Sequence, residues 1–155
     1  MMSNSSVKMH VTDEAKRFFV LGDRVERRLR ISGAWLNIFD VTVPSGSRTL
    51  KHAHASPEVF RILEGNLTIW RLSDSGPEEI EASAGDIVTI PPFMVHGYSN
   101  RGTIPVVFSA VVDREMAEFI EAEGTTEPPK VSPSAETIAR MTAAANAYGI
   151  TILAA

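Results

Sequence analysis

The chain has 155 residues and a net charge of −4. This length is typical of one domain that can bury a sizeable core, and the acidic balance argues against a nucleic-acid partner, which calls for a basic face. The chain has no cysteine, so disulfides, thiolate catalysis and thiolate metal ligands are excluded.

The polar residues 1–16 form an expected flexible N-terminal segment without the apolar stretch of a signal peptide. No run approaches the roughly eighteen apolar residues of a membrane span. We therefore expect a soluble cytoplasmic protein that has no membrane partner.

Short strands are predicted from Phe18 to Val112. In this part of the chain, apolar and polar residues alternate in short runs separated by Gly, Pro and Asn, with a clear break at Ser32 and Gly33. Trp35, Phe39, Val41 and Val43 share one parity in the third run. The predicted strands cover residues 18–21, 25–31, 34–43, 59–63, 67–72, 78–82, 86–90, 95–99 and 104–112. Many short strands at close spacing predict an antiparallel sandwich or barrel.

Helical patterns replace the strands after Asp113. Residues 114–123 predict a helix with Asp113 as its N-cap and Gly124 at its end. After an extended Pro-rich stretch, a second helix is predicted to open at Ser132 and Pro133. Its apolar positions at helical spacing are Ile138, Met141, Ala145 and Tyr148, and Gly149 ends it.

The predicted organisation is a flexible segment at 1–16, a β-domain at 17–113 and a C-terminal helical extension at 114–155. The apolar residues 150–153 are expected to dock on the domain or on a partner subunit. A homodimer is expected, because an open sheet leaves edge strands to cover.

Three of the four histidines lie in two short stretches. His52 and His54 are two residues apart on a predicted strand, so both side chains leave the same face. Glu58 follows a bend at Ser56 and Pro57, and His96 lies on another predicted strand, after Pro91 and Pro92. Three imidazoles and one carboxylate suit a divalent first-row transition metal. The alternative is two unrelated groups of surface histidines, which is the ordinary interpretation of an isolated His-x-His.

These two stretches resemble the conserved motifs of the cupin superfamily. The first follows cupin motif 1, G-x5-H-x-H-x3-E-x6-G, through Gly46, His52, His54, Glu58 and Gly65. The second is similar to motif 2, G-x5-P-x-G-x2-H-x3-N, through Gly85, Pro91, His96 and Asn100. Weaker similarities at both ends of residues 17–153 favour the small quercetinase-like group. The resemblance implies an all-β, jelly-roll-like antiparallel cupin barrel with a C-terminal α-helical extension.

The chain departs from motif 2 at Phe93, where the family has glycine. Glycine permits a tight turn at that position. We therefore expect either a differently shaped loop before His96 or a Phe93 side chain that lines the pocket.

The resemblance implies a metal held by His52, His54, Glu58 and His96. The predicted activity is that of a dioxygenase acting on a flavonol-like or other enolisable small molecule, with Glu58 also serving as a general base. The metal could be Fe, Mn, Ni, Co, Zn or Cu. A metal-dependent isomerase, lyase or decarboxylase is an alternative, as is a non-catalytic small-molecule-binding cupin.

The pocket is expected to be apolar and aromatic. Phe60 and Phe93 are the predicted lining residues. Tyr98 shares parity with His96, while the directions of Phe39, Trp70 and Phe108 stay open, since small barrels also fill their interiors with aromatic side chains. Asn100 is predicted to satisfy backbone groups in the turn that follows Ser99.

Overall fold

The computed structural model describes residues 6–30 and 36–153. The predicted break at Ser32 and Gly33 and the predicted position of Trp35 lie outside these residues. The strands are β1 Lys16–Val20, β2 Asp23–Arg30, β3 Asn37–Val43, β4 His52–His54, β5 Glu58–Glu64, β6 Asn66–Ser73, β7 Gly76–Ser83, β8 Ile87–Ile90, β9 His96–Ser99, β10 Val106–Val112 and β11 Ile150–Ile152. The helices are α1 Arg114–Ala122 and α2 Ala135–Asn146, and a short 3-10 helix covers Thr12–Glu14.

The strands form two antiparallel sheets, as the alternating pattern predicts. One has six strands in the order β1-β2-β3-β10-β5-β8, and the other has five in the order β11-β4-β9-β6-β7. The predicted barrel is not closed: no ladder joins the two sheets within the described parts of the chain, and the fold is a jelly-roll sandwich. One reason lies at the β8 edge, where Pro91 and Pro92 follow at once and cannot donate ladder hydrogen bonds.

The core follows from period-two alternation. Along β3 and β10, buried residues alternate with half-buried ones over the full length of each strand. Phe39 and Phe108 are almost completely buried, and burying an apolar side chain of this size contributes about 1.5–3 kcal/mol. These two strands pair directly, so they form the centre of the six-stranded sheet.

Capping residues define where the two helices begin. Asp113 accepts a hydrogen bond from the Met116 backbone N–H, so it is the N-cap of α1 as predicted. Ser134 accepts one from Thr137 and caps α2. The second helix therefore begins just after the predicted start at Ser132 and Pro133, because Ser134 has the side chain that meets the free N–H groups.

The C-terminal strand β11 is the outer partner of β4. Ile150 lies opposite His54, and Ile152 lies opposite His52. Since β4 has only three residues and meets β9 at the single pair His52 and His96, β11 supplies most of its backbone pairing.

Asn100 connects the loops around β9 through side-chain hydrogen bonds to the backbone. Its side-chain amide donates to the carbonyl oxygens of Val43 at 3.0 Å and Ile104 at 2.7 Å, and its Oδ1 accepts from Gly102 N–H at 2.9 Å. The structural role predicted for Asn100 is confirmed. Within residues 6–30 and 36–153, no helix combines the length and apolar character needed to span a membrane.

Candidate metal centre

Three imidazoles come together on the five-stranded sheet. His52 and His54 leave the same face of β4 because two residues separate them, and His96 is the direct cross-strand partner of His52. One ring nitrogen from each histidine can be chosen so that all three lie within 4.8 Å of one another. The sheet therefore presents three nitrogen donors to one point.

Backbone carbonyls fix the tautomer of each ring. The Nδ1 atoms of His52, His54 and His96 lie 2.7, 2.7 and 2.8 Å from the carbonyl oxygens of Leu50, Ser56 and Met94. A carbonyl can only accept, so in the neutral rings each Nδ1 carries the proton and each Nε2 keeps its lone pair. This is the arrangement that metal-binding histidines use.

Glu58 approaches from the other sheet. Its Oε1 lies 3.5 Å from Nε2 of His54, and its Oε2 lies 3.4 Å from Nε2 of His96. Two donors bound to one ion at about 2.1 Å are separated by roughly 3.0–3.4 Å. The Glu58 carboxylate thus lies close to two of the three rings, at distances similar to those between two donors on one ion.

The electrostatics of the group keep it ready to bind a cation. Burial, followed by the neighbouring His96, lowers the pKa of His52 to about 4, so its ring is neutral at pH 7. Burial raises the pKa of Glu58, but the imidazoles of His96, His54 and His52 outweigh burial and the net shift is downward. A neutral His52 ring beside the Glu58 carboxylate has the protonation that metal ligands require.

The residues fit a divalent transition metal. The Nε2 atoms of His54 and His96 are buried and have no hydrogen-bond partner within the described residues. Buried polar atoms without a partner are costly, and a bound ion would satisfy both. Three nitrogens and one carboxylate are donors that Fe, Mn, Co, Ni, Cu and Zn all accept.

A cavity of about 140 Å³ opens beside this group and is lined by residues of both sheets and of the C-terminal segment. His52 and Glu58 reach it from the candidate metal centre, and Phe60 lines it together with Phe39 and Phe108. Trp70 is not among the lining residues; its ring lies under Lys51, 4.0 Å from the Nζ atom.

Phe93 lies elsewhere. Its side chain is 72% exposed and is not among the residues that line the cavity. Its φ is +62°, so Phe93 adopts the left-handed backbone that the motif glycine would adopt. Its N–H donates to the carbonyl oxygen of His54 at 2.7 Å. The loop before His96 thus keeps a tight turn, and this conformation directs the side chain away from the cavity.

Several lining residues carry little sequence signal. Asp23 follows Gly22 and is easily interpreted as a turn residue, yet it is buried and faces the cavity beside Tyr98. For Tyr98, the one sequence signal is that it shares parity with His96 and should therefore face the same side of the sheet. The C-terminal segment contributes Met116, Phe119, Ile120, Met141, Ile150 and Ile152.

The motif-bearing part of the chain matches a known domain family. The cupin domain family model matches residues 39–112, from β3 through β10. This segment is therefore similar to cupin domains. The chain is also 36% identical over 75 residues to the uncharacterized protein MJ1618 of Methanocaldococcus jannaschii, a match over 48% of this chain and 57% of that protein. The match thus spans little more than half of the relative's length.

Solved structures share the cupin fold. A sugar phosphate isomerase of the cupin superfamily from Silicibacter pomeroyi matches with a TM-score of 0.59 and 22% identity, over 69% of this chain and 76% of that one. Fe(II)-HppE with the alternative substrate (S)-1-HPP matches with a TM-score of 0.60 and 18% identity, over 70% and 61%. At these identities the similarity shows the fold alone, and cupin folds host different chemistries.

Proposed function

We propose that this cupin is a metal-dependent dioxygenase that acts on a flavonol-like or other enolisable small molecule. The observation that carries the proposal is the convergence of three histidine Nε2 lone pairs and the Glu58 carboxylate beside a mostly apolar cavity. In the proposal, His52, His54, Glu58 and His96 hold one divalent ion. Such an ion supplies Lewis acidity toward an enol hydroxyl and, when it is redox-active, electron transfer with dioxygen.

The chain's own residues would hold the substrate and move its proton. Glu58 has a lowered pKa and is a carboxylate at neutral pH, so it can accept the proton of an enol hydroxyl. It lines the cavity, as a base must. Phe60 and Phe108, with ring centroids 4.7 Å apart, supply an apolar wall that keeps water away from the anion formed.

A proton-transfer enzyme that does not use dioxygen is the second candidate. Glu58 would serve an isomerase, lyase or decarboxylase as the same base, and a structural neighbour is described as a sugar phosphate isomerase.

We also propose that the protein is cytoplasmic and forms a homodimer. Edge strands such as β7, at the end of the five-stranded sheet, are available for pairing with a second copy.

Oxygen consumption separates these functions. The protein is freed of metal, loaded separately with Fe, Mn, Co and Ni, and supplied with quercetin or kojic acid in an oxygen electrode. Oxygen uptake that requires both metal and substrate supports the dioxygenase. Product formation without oxygen uptake supports the second candidate instead, and no product with any of the four metals contradicts both activities on these compounds.

The base role is tested with Glu58→Gln. The variant is first supplied with enough metal to reach the metal content of wild type, and its turnover is then compared with that of wild type. Loss of turnover at full metal content supports the base, whereas unchanged turnover contradicts it.

A further inference from the structure

A second buried polar group lines the cavity. Asp23, the first residue of β2, is 5% exposed. The Tyr98 hydroxyl donates to its Oδ2, and the Ser47 hydroxyl donates to its Oδ1 at 3.0 Å. Within the described residues, no Lys, Arg or His forms an ion pair with Asp23. Burying a carboxylate without a cation costs free energy of folding. The position of Asp23 in the cavity wall therefore suggests a role in binding a ligand.

Asp23 faces the same cavity as His52 and Glu58 of the candidate metal centre. Asp23 and Tyr98 line it together with His52 and Glu58. Tyr98 is two residues beyond His96 on β9, so it points to the same side of the sheet about 7 Å farther along the strand. The Tyr98 ring is held by Phe60 and Phe108, with centroid distances of 6.3 and 5.2 Å. The cavity thus has two polar ends with an aromatic wall between them.

The hydrogen bonds from Tyr98 and Ser47 leave the Asp23 carboxylate as an acceptor for a ligand. Tyr98 and Ser47 each have one hydroxyl proton, and both protons are directed at Asp23. An ionised carboxylate has about four lone-pair sites and no proton, so Asp23 can accept further hydrogen bonds. The complementary ligand group is therefore a donor, and a hydroxyl is the simplest one.

The cavity volume suits a small ligand. At about 140 Å³, the space is close to that of an engineered cavity of about 150 Å³ that binds benzene. One ring with small substituents fits this volume.

We propose that Asp23, held by Tyr98 and Ser47, determines specificity by accepting a hydrogen bond from a hydroxyl group at the far end of a single-ring enol. The enol oxygens of that ligand face the histidine group. The inference rests on the proposed metal-dependent function and narrows its substrate class.

Two hydroxypyranones form a matched pair of probes. Kojic acid and allomaltol carry the same ring enol and ketone, but kojic acid has a hydroxymethyl group where allomaltol has methyl. Binding of each is measured by calorimetry at pH 7.5, without oxygen, to protein of known metal content. We expect kojic acid to bind about tenfold more tightly, which corresponds to about 1.4 kcal/mol.

The variant Asp23→Leu removes the acceptor at similar volume. We expect the preference for kojic acid to disappear while the variant still takes up metal, which general damage to the site would not produce. Asp74→Leu, in the exposed turn between β6 and β7, is the matched control and should keep the preference.

Three results overturn the proposal: equal affinities in wild type, a preference that survives in Asp23→Leu, or no binding of either probe to metal-loaded protein. The wild-type comparison does not depend on whether the variant folds. Failure of the dioxygenase proposal is seen separately, as absent oxygen uptake, and leaves the anaerobic preference intact. A chain that takes up no metal refutes both proposals at the metal assay.

Discussion

Glu58 and His96 meet across the sandwich: Oε2 of Glu58 lies 3.4 Å from Nε2 of His96, although β5 belongs to the six-stranded sheet and β9 to the five-stranded one. An ion bound by both side chains would connect the two sheets. Because the sheets share no ladder within the described parts of the chain, such a connection should stabilise the fold as well as serve the chemistry.

Metal should therefore raise the unfolding temperature. Free metal at a hundred times its Kd stabilises the folded state by about 2.7 kcal/mol, which for this size is roughly 5–10 °C. Glu58→Gln should lose much of that gain, whereas Glu64→Gln, at the exposed end of the same strand, should keep it. Thermal unfolding with and without chelator measures the effect, and an equal gain in both variants would contradict the role of Glu58.

Strand β11 should control metal affinity through β4. Thr151 lies opposite Ala53, and Leu153 N–H donates to the Lys51 carbonyl at 2.8 Å, so alternation along the ladder makes Thr151 and Ala53 a hydrogen-bonded pair. Thr151→Pro removes that donor and loosens the strand that carries two histidines. We expect metal affinity to fall by about 5- to 30-fold, as for the loss of about 1–2 kcal/mol.

Thr151→Ala is the control for this effect, because it keeps the N–H and changes only an exposed side chain. Titration of both variants with Co²⁺ compares their affinities. Equal affinities would show that β11 does not position the histidine strand.

The left-handed backbone of Phe93 should reverse the usual order of alanine and glycine. Alanine normally stabilises a chain by about 0.5–1 kcal/mol over glycine, but left-handed φ costs a non-glycine residue about 1–2 kcal/mol. At φ +62° we expect Phe93→Gly to be more stable than Phe93→Ala by about 1 kcal/mol. Urea unfolding measures both, and a more stable alanine variant would exclude the left-handed turn.

Asp23 should make stability depend on pH. Burial raises its pKa from 3.8 to about 6, against the hydrogen bonds from Tyr98 and Ser47. Between these values the folded state holds a proton that the unfolded state has lost, so the contribution of Asp23 to stability falls as pH rises from about 4 to 6. The full change is about 3 kcal/mol.

The variant Asp23→Asn isolates this contribution, because His52, with a pKa lowered to about 4, changes stability in the opposite direction over the same range. Relative to wild type, the variant should become more stable as pH rises from 4 to 7. Urea unfolding in chelator at several pH values measures the difference. A difference that does not vary with pH would mean that the Asp23 carboxyl is not desolvated.

Most strands could be predicted from sequence because one buried face imposes period-two alternation, which β3 and β10 show along their whole length. The approach of His52, His54, Glu58 and His96 to one another could be anticipated from motif spacing. Strand β11 could be anticipated only as an apolar docking segment, since three residues carry no periodicity.

The cavity was harder to predict. Asp23 has the residue type and glycine neighbour of a surface turn, so its burial depends on Tyr98 and Ser47, which are distant in sequence. The direction of Phe93 depends on a φ angle that an aromatic residue rarely adopts. Both features arise from tertiary context that a local pattern does not contain.

Metal stoichiometry tests the central claim most directly. The purified chain is loaded with Fe, Mn, Co or Ni, freed of excess ion and examined by elemental analysis beside a variant in which His52, His54 and His96 are each replaced by Gln. We expect about one ion per wild-type chain and none in the folded variant. No bound ion in wild type with any of these metals, or equal content in both proteins, would contradict a metal centre at these histidines.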